Sequence, residues 1–148
     1  MNKVQKITPF LWFDGNAREA ADYYCDVFPD SRVLSENPFV VQFELFGQTF
    51  STIYGGPQYT FSEATSFLIN CKNQEEVDYY WNRFIGDGGV ESKCGWLKDK
   101  FGVSWQVIPE QLGSFIGNPD QKKAGKAPQA MLKMKKIDIH IIEKAFNS

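Results

Sequence analysis

The sequence predicts an α+β fold that consists of two consecutive βαβββ modules and a C-terminal helical tail. Two internal repeats support this prediction. The segment that begins at Phe10 resembles the one that begins at Phe67, and the segment at Phe46 resembles the one at Phe101. Within each repeat, the spacing of apolar residues also changes from that of a strand to that of a helix and back. Two copies of one module explain all of these observations.

Length and composition fit one ordinary domain. The 148 residues are 43% hydrophobic and 16% aromatic, so the chain can fill a core. Its 16 Lys and Arg against 18 Asp and Glu leave a net charge of −2, and we therefore expect no nucleic-acid partner. No apolar run approaches the ~20 residues that span a bilayer, and the first six residues lack the apolar core of a secretory signal. These features predict a cytoplasmic protein with no membrane partner.

Clusters of turn-forming residues divide the chain. Gly55-Gly56-Pro57 separates the two modules, and a second cluster begins at Gly117 and precedes the tail. In the tail, Asp138 is placed to cap a last short helix that runs to Phe146. The predicted segments of this single domain are module one (6–54), module two (65–109) and the helical tail (119–147).

Module one begins with a predicted strand from Ile7 to Phe13, which is rich in β-branched and aromatic residues and is ended by Asp14-Gly15. A helix should follow, because Asn16 is a good N-cap and Glu19 lies three residues later, as in a capping box. Strict alternation of side chains then predicts a strand hairpin. The apolar stripe of the predicted helix consists of Ala20, Tyr24, Val27 and Phe28.

Module two repeats this arrangement. Asn73 is the predicted N-cap, Glu76 follows three residues later, and the glycines from Gly86 to Gly89 end the helix. The apolar stripe of this helix is predicted to be Val77, Tyr80, Trp81 and Phe84.

Cysteine and histidine are scarce. Cys25, Cys71 and Cys94 form an odd set without C-x-x-C spacing, which predicts reduced thiols rather than a disulfide framework or a zinc site. The single histidine, His140, would have to serve any His-based metal or nucleophile site alone. We expect it to lie on a tail helix with one face in solvent.

Three stretches of the chain resemble a known family. The segments 9–17, 96–109 and 130–139 resemble the PhnB-like branch of the glyoxalase/bleomycin-resistance, or vicinal-oxygen-chelate, superfamily. The branch often carries the label 3-demethylubiquinone-9 3-methyltransferase. The resemblance implies that the two modules form a U-shaped mixed sheet around a cleft, that a small molecule binds there, and that the protein is a homodimer.

Metal-dependent members of the superfamily hold a divalent ion with His or Gln from the first strand of each module and Glu from the last. Alignment of the two repeats places these positions at Thr8 and Thr65 in the first strands, to within one residue, and at Ser51 and Gln106 in the last strands. None carries an imidazole or a carboxylate, and neutral oxygens alone bind a transition metal weakly. We therefore predict no metal. We also predict no other cofactor, because no Gly-rich turn leads from a strand into a helix as a nucleotide-type cofactor requires.

Strand alternation indicates a ligand site. Thr8, Phe10 and Trp12 share one face of the first strand, and the repeat adds Phe67 and Ile69 from module two. The resemblance implies that this face looks into the cleft, where aromatic walls and neutral polar groups suit a small flat ligand. The alternative is that these rings fill the cleft or a dimer seam. The predicted ligand-binding residues are Phe10, Trp12, Ser51, Phe67, Cys94, Trp96 and Gln106.

No catalytic residue is assigned from the sequence. Cys94 is the one nucleophile near the expected cleft, with Lys93 as its only neighbouring cation, and a buried unreactive thiol is the alternative. Glu44 and Asp99 are the strand carboxylates that could act as a general base. Three functions stay open: a ligand-binding module, an enzyme of the superfamily type, and an interaction protein whose cleft is filled by its own side chains.

Overall fold

The structure, a computed structural model, describes residues 4–148 and confirms the α+β fold. The chain divides into two compact units, one ending at Thr60 and the other beginning at Phe61. Each unit contains a four-stranded mixed sheet and one helix in the order βαβββ, and three more helices follow in the second. The tandem modules and the helical tail are therefore both present.

The first unit has its strands in the order β1-β4-β3-β2, with β1 parallel to β4 and the other pairs antiparallel. Phe46 and Gly47 connect β3 to β4 with φ angles of 51° and 80°, the left-handed pair that a tight two-residue hairpin requires. The elements are β1 (Phe10–Asp14), α1 (Ala17–Val27), β2 (Ser31–Glu36), β3 (Val40–Leu45) and β4 (Gln48–Gly55).

The second unit repeats this topology in the order β5-β8-β7-β6, with β5 parallel to β8. Its sheet and helix elements are β5 (Ser66–Cys71), α2 (Gln74–Gly86), β6 (Val90–Glu91), β7 (Trp96–Lys98) and β8 (Ser104–Pro109). The tail helices are α3 (Leu112–Ile116), α4 (Gln121–Met131) and α5 (Ile139–Phe146).

Each sheet packs one face against its own helix. Both predicted apolar stripes are confirmed, because every residue in them is buried. In the first unit Tyr24 stacks on Phe43 of β3 with ring centroids 5.8 Å apart. In the second, Phe84 stacks on Trp105 of β8 at 5.4 Å. The opposite face of the first sheet is turned away from α1, and on the opposite face of the second sheet Ile108 packs against the core of the tail helices.

The two predicted helix caps differ. Asn73 has extended backbone and its Oδ1 accepts a hydrogen bond from Glu76 N at 2.9 Å, which confirms the cap. Asn16 occupies the predicted N-cap position before α1, but its side chain makes no capping hydrogen bond. Asn16 has φ −118° and ψ 32°, a backbone that does not direct its side chain onto the helix amides, and its buried Oδ1 has no hydrogen-bond partner.

The first strand begins later than predicted. It starts at Phe10 rather than Ile7, because the pairing with β4 starts at Phe10 and Pro9 has no N–H to extend the ladder. Ile7 is 82% exposed. The correction shortens the strand without changing which of its side chains share a face.

The tail helices form a small core of their own. Leu112, Ala127, Ile137 and Ile142 are buried together. Gln74 of α2 fixes the approach to α5, because its Nε2 donates to Ile137 O and its Oε1 accepts from Ile139 N, each at 2.8 Å. Asp138 accepts from Ile141 N as predicted, and His140 is exposed on α5 as expected. Within residues 4–148 no helix is long and apolar enough to cross a bilayer.

Candidate functional site

The strand register identifies the candidate site on the first sheet. Phe43 of β3 pairs with Phe50 of β4 on the side of α1, so the alternate residues lie on the opposite side. We call the side of each sheet that is turned away from its own helix, α1 or α2, the far face. Phe10 pairs with Ser51, and Trp12 pairs with Ile53. The far face therefore carries Phe10, Trp12, Gln42, Ser51 and Ile53.

Trp12 is held in one position on this face. Its Nε1 donates to Gly56 O at 2.8 Å, and its ring meets the ring of Tyr59 edge-on with centroids 4.9 Å apart. The indole also lies directly against Gly55, where a Cβ atom would come within 2.1 Å of a ring carbon. Gly55 and Gly56, which the sequence assigns to a turn, therefore also hold the side chain of Trp12 in place.

Beside Trp12, the far face combines an exposed ring with two polar groups. Phe10 is 57% exposed, whereas Ser51 next to it is buried. Gln42 Nε2 donates to Ser51 Oγ at 3.1 Å, so the amide is fixed while its oxygen still has acceptor capacity. Sequence reasoning missed Gln42, Gly55 and Tyr59. Strand alternation could have placed Gln42 on this face, but no local pattern places Tyr59 against a ring 47 positions earlier.

In the second unit, the register corrects part of the predicted site. Phe67 pairs with Trp105, and their rings lie 5.5 Å apart on the side of α2. Phe67 and Ile69 therefore face the helix, not the far face. Leu68, which pairs with Gln106, takes the position that corresponds to Phe10.

The cause is one residue in the turn after the first strand of each module. Two residues, Asp14 and Gly15, separate the last buried strand residue Phe13 from the cap Asn16, whereas Lys72 alone separates Cys71 from Asn73. The strands correspond with an offset of 58 and the helices with an offset of 57. A slip of one residue exchanges the two faces of a strand.

The far face of the second sheet keeps two of the predicted residues together. Trp96 of β7 pairs with Gln106 of β8. Gln106 Nε2 donates to Ser66 Oγ at 2.9 Å, and Ser104 is buried nearby on the same strand with its Oγ unpartnered. This face therefore carries an aromatic side chain beside neutral polar groups, as the far face of the first sheet does.

The four positions that the resemblance assigns to metal ligands carry neutral side chains. The corrected register replaces Thr65 with Ser66, which leaves three hydroxyl groups and one amide at Thr8, Ser51, Ser66 and Gln106. Hydroxyls and amides supply no negative charge to a transition metal and hold it weakly. Among residues 4–148, no group of three or more His, Cys, Asp or Glu side chains is placed to hold a metal ion.

Cys94 lies in the turn that precedes β7 and is partly buried. It has a left-handed φ of 58°, and its N–H donates to Met134 O at 2.9 Å. Gly95 N likewise donates to Lys135 O at 2.8 Å. The segment therefore anchors the tail to the second sheet. Cys71 is the buried thiol of this unit, and burial raises its pKa to about 12.

The two predicted general-base candidates are both engaged. Asp99 is 4% exposed and accepts hydrogen bonds from Phe101 N, Val103 N and Trp105 Nε1 at 2.8, 3.1 and 2.9 Å. These hydrogen bonds hold the hairpin between β7 and β8. Glu44 lies on the far face of the first sheet, where its Oε1 accepts from Arg32 Nε at 2.8 Å.

Comparison with known proteins agrees with this architecture. A family model described as 3-demethylubiquinone-9 3-methyltransferase matches residues 5–108. No protein of curated function matches the chain. Among solved structures, a PhnB protein from Bacillus cereus with the same methyltransferase label is 33% identical, with a TM-score of 0.64 over 71% of this chain and 99% of that chain.

Two more distant structures support the fold alone. A glyoxalase/bleomycin resistance protein from Albidiferax ferrireducens is 11% identical with a TM-score of 0.52, over 68% of this chain and 95% of that chain. The fosfomycin resistance protein FosX from Listeria monocytogenes is 12% identical with a TM-score of 0.51, over 70% and 89%. The match of the family model over residues 5–108 and the 33% identity to the PhnB protein show that the chain belongs to the PhnB-like family, labelled 3-demethylubiquinone-9 3-methyltransferase.

Proposed function

We propose that this protein binds a small, flat, largely apolar molecule on the far face of its first sheet, and does so without a metal ion. One observation carries the proposal. Trp12 is fixed by Gly56 O, by the ring of Tyr59 and by close contact with Gly55, while Phe10 beside it is more than half exposed.

A fixed indole favours binding because its side-chain entropy is already lost before a ligand arrives. Since Nε1 of Trp12 donates to Gly56 O, the indole offers a ligand apolar surface rather than a hydrogen-bond donor. The ring contacts with Trp12 and Phe10 would supply affinity. Gln42 and Ser51, already joined to each other at 3.1 Å, would orient one polar group of the ligand.

Methyl transfer, which the family label names, finds no support in these residues. A nucleotide-type cofactor is commonly held by a Gly-rich turn that opens a helix. Here Gly55 is the last residue of β4 and Gly56 follows it, both contact Trp12, and Pro57 comes next. The glycines are thus used by the proposed ligand site itself.

An enzyme of the superfamily type is the alternative. One observation favours it: Glu44 lies on the same far face as Gln42, two residues away on β3. Its ion pair with Arg32 would have to open before the carboxylate could take a proton. This alternative predicts that a bound molecule is converted over time and that Glu44→Gln stops the conversion. Binding alone predicts an unchanged ligand in both proteins.

The proposal is tested by displacing the indole without removing it. Gly55→Ala places a methyl group within 2.1 Å of the Trp12 ring and forces the ring to move. With 2-naphthol as the probe, isothermal titration calorimetry should show one saturable site in the original protein. Binding should be about tenfold weaker in Gly55→Ala, the worth of one good aromatic contact.

The matched control is Gly86→Ala. This glycine ends α2 in the second unit, and a Cβ there meets no atom within 4 Å. Its affinity for 2-naphthol should equal that of the original protein. Absence of saturable binding, or equal affinity in Gly55→Ala, contradicts the proposal. The predicted homodimer, which belongs to this proposal, is tested by sedimentation at micromolar concentration, where a monomer contradicts it.

A further inference from the structure

The tail carries a cavity that is lined by its own residues alone. It is a groove between α4, α5 and the segment that joins them, with a volume of about 780 Å³. Its apolar surface comes from Leu132, Met134, Ile141 and the alanines beside them, and Lys126 and Lys133 also line it. Its size lies within the range of about 300–1,000 Å³ that is typical of small-molecule sites.

Two large apolar residues of this groove, Leu132 and Ile141, are not part of the tail core, although Ala130 and Met134 pack against it. That core consists of Leu112, Ala127, Ile137 and Ile142, all at most 5% exposed. In contrast, Leu132 is 68% exposed and Ile141 is 51% exposed, although Ile141 is adjacent to buried Ile142. Exposed large apolar side chains that line one concavity mark a binding surface more often than scattered ones do.

Charge is concentrated on the same part of the chain. Residues 120–148 contain seven lysines and three acidic residues, whereas the preceding residues contain nine basic and fifteen acidic ones. Lys126 donates to Ser148 O at one side of the groove. Lys133 is exposed, and among the residues that the structure describes no acidic side chain pairs with it. A ligand's anionic group would find an available cation at Lys133.

We propose that this groove binds an amphiphile with one anionic head and one apolar chain, with the head at Lys133 and the chain along Leu132 and Ile141. The apolar floor excludes a purely ionic ligand, because such a ligand would leave that floor in water. The lysines favour an anion over a cation. Two sources share this chemistry: a free fatty-acid anion, and the anionic lipids of a bilayer. The exposed but concave surface favours a single free chain.

The test uses the full chain and sodium dodecanoate below its micelle-forming concentration. Isothermal titration calorimetry should show one saturable site. Lys133→Glu should weaken binding about tenfold, because it removes an attraction and adds a repulsion. Ile141→Ser should weaken it about fivefold by removing apolar contact while leaving the charge unchanged.

Lys144→Glu is the matched control, since it makes the same charge change on α5 at a residue that does not line the groove. It should keep the affinity within twofold. Equal losses in Lys133→Glu and Lys144→Glu would show attraction to net charge only and overturn the proposal. So would flotation with phosphatidylglycerol vesicles in the absence of any saturable binding of monomeric dodecanoate, which would assign the surface to a bilayer.

Discussion

Asp99→Asn should lower the free energy of unfolding by about 2 kcal/mol. The Asp99 carboxylate is buried and accepts from two backbone N–H groups through Oδ1 and from Trp105 Nε1 through Oδ2. An asparagine has only one oxygen. If that oxygen keeps the hydrogen bonds from Phe101 N and Val103 N, the NH₂ group faces the indole N–H of Trp105. Both groups are donors, so the indole N–H is left buried without an acceptor. A hydrogen bond to a charged group is worth about 1.5–3 kcal/mol, which gives the expected magnitude.

A double-mutant cycle with Trp105→Phe isolates this interaction. Phenylalanine keeps a ring to pack against Phe84 but has no N–H to donate, so the Asp99→Asn change should then cost about 1 kcal/mol less. The assay is guanidinium unfolding followed by far-UV circular dichroism, because Trp fluorescence would change with the substitution itself. If Asp99→Asn costs the same in both backgrounds, within about 0.5 kcal/mol, the indole bond is not what Asp99 provides.

Two further predictions concern the stability of the protein, one through the two helix caps and one through the pH dependence of Glu36. Asn73→Ala should destabilise the protein by about 1 kcal/mol, because it removes the hydrogen bond from Glu76 N. Asn16→Ala should be nearly neutral, because Asn16 Oδ1 has no hydrogen bond to lose. Equal decreases in the free energy of unfolding of the two variants, measured by thermal unfolding, contradict this prediction. Hydrogen bonds from Tyr54 Oη and then from Arg18 lower the pKa of Glu36. Its contribution to stability is therefore present above the unfolded pKa of about 4.3 and is lost as the pH falls below it. Between pH 6 and pH 3, the free energy of unfolding should fall less steeply in Glu36→Gln than in the original protein. Parallel curves for the two proteins would show that the hydrogen bonds of Glu36 do not contribute to the pH dependence.

The sequence predicted those parts of the fold that depend on local periodicity. The apolar stripes of both helices, the hairpin at Gly47 and the cap at Asp138 follow from spacing and turn chemistry within a few residues. Comparison of the chain with itself then supplied the order of the elements. Asn16 occupies the predicted cap position without a capping hydrogen bond, because that bond depends on backbone angles, and the two modules share the residue type but not those angles.

The candidate site could be predicted only in part, for two physical reasons. The sequence alignment matches Phe10 with Phe67, but the turns after the two strands differ in length by one residue. The two phenylalanines therefore lie on opposite faces of their sheets. Contacts between residues far apart in the sequence also could not be predicted from local patterns. The seating of Trp12 against Gly55 and Tyr59 joins residues more than 40 positions apart, and Gly55 looked like an ordinary turn former.

Native mass spectrometry of the protein as isolated tests the central claim most directly, because one spectrum reports a retained organic ligand and a retained metal ion together. We predict an added mass of a small organic molecule that is lost on collisional activation and is reduced in Gly55→Ala. A stoichiometric divalent ion that disappears when Ser51 and Gln106 are replaced by alanine would contradict the account, since these side chains would then be ligands despite their lack of charge.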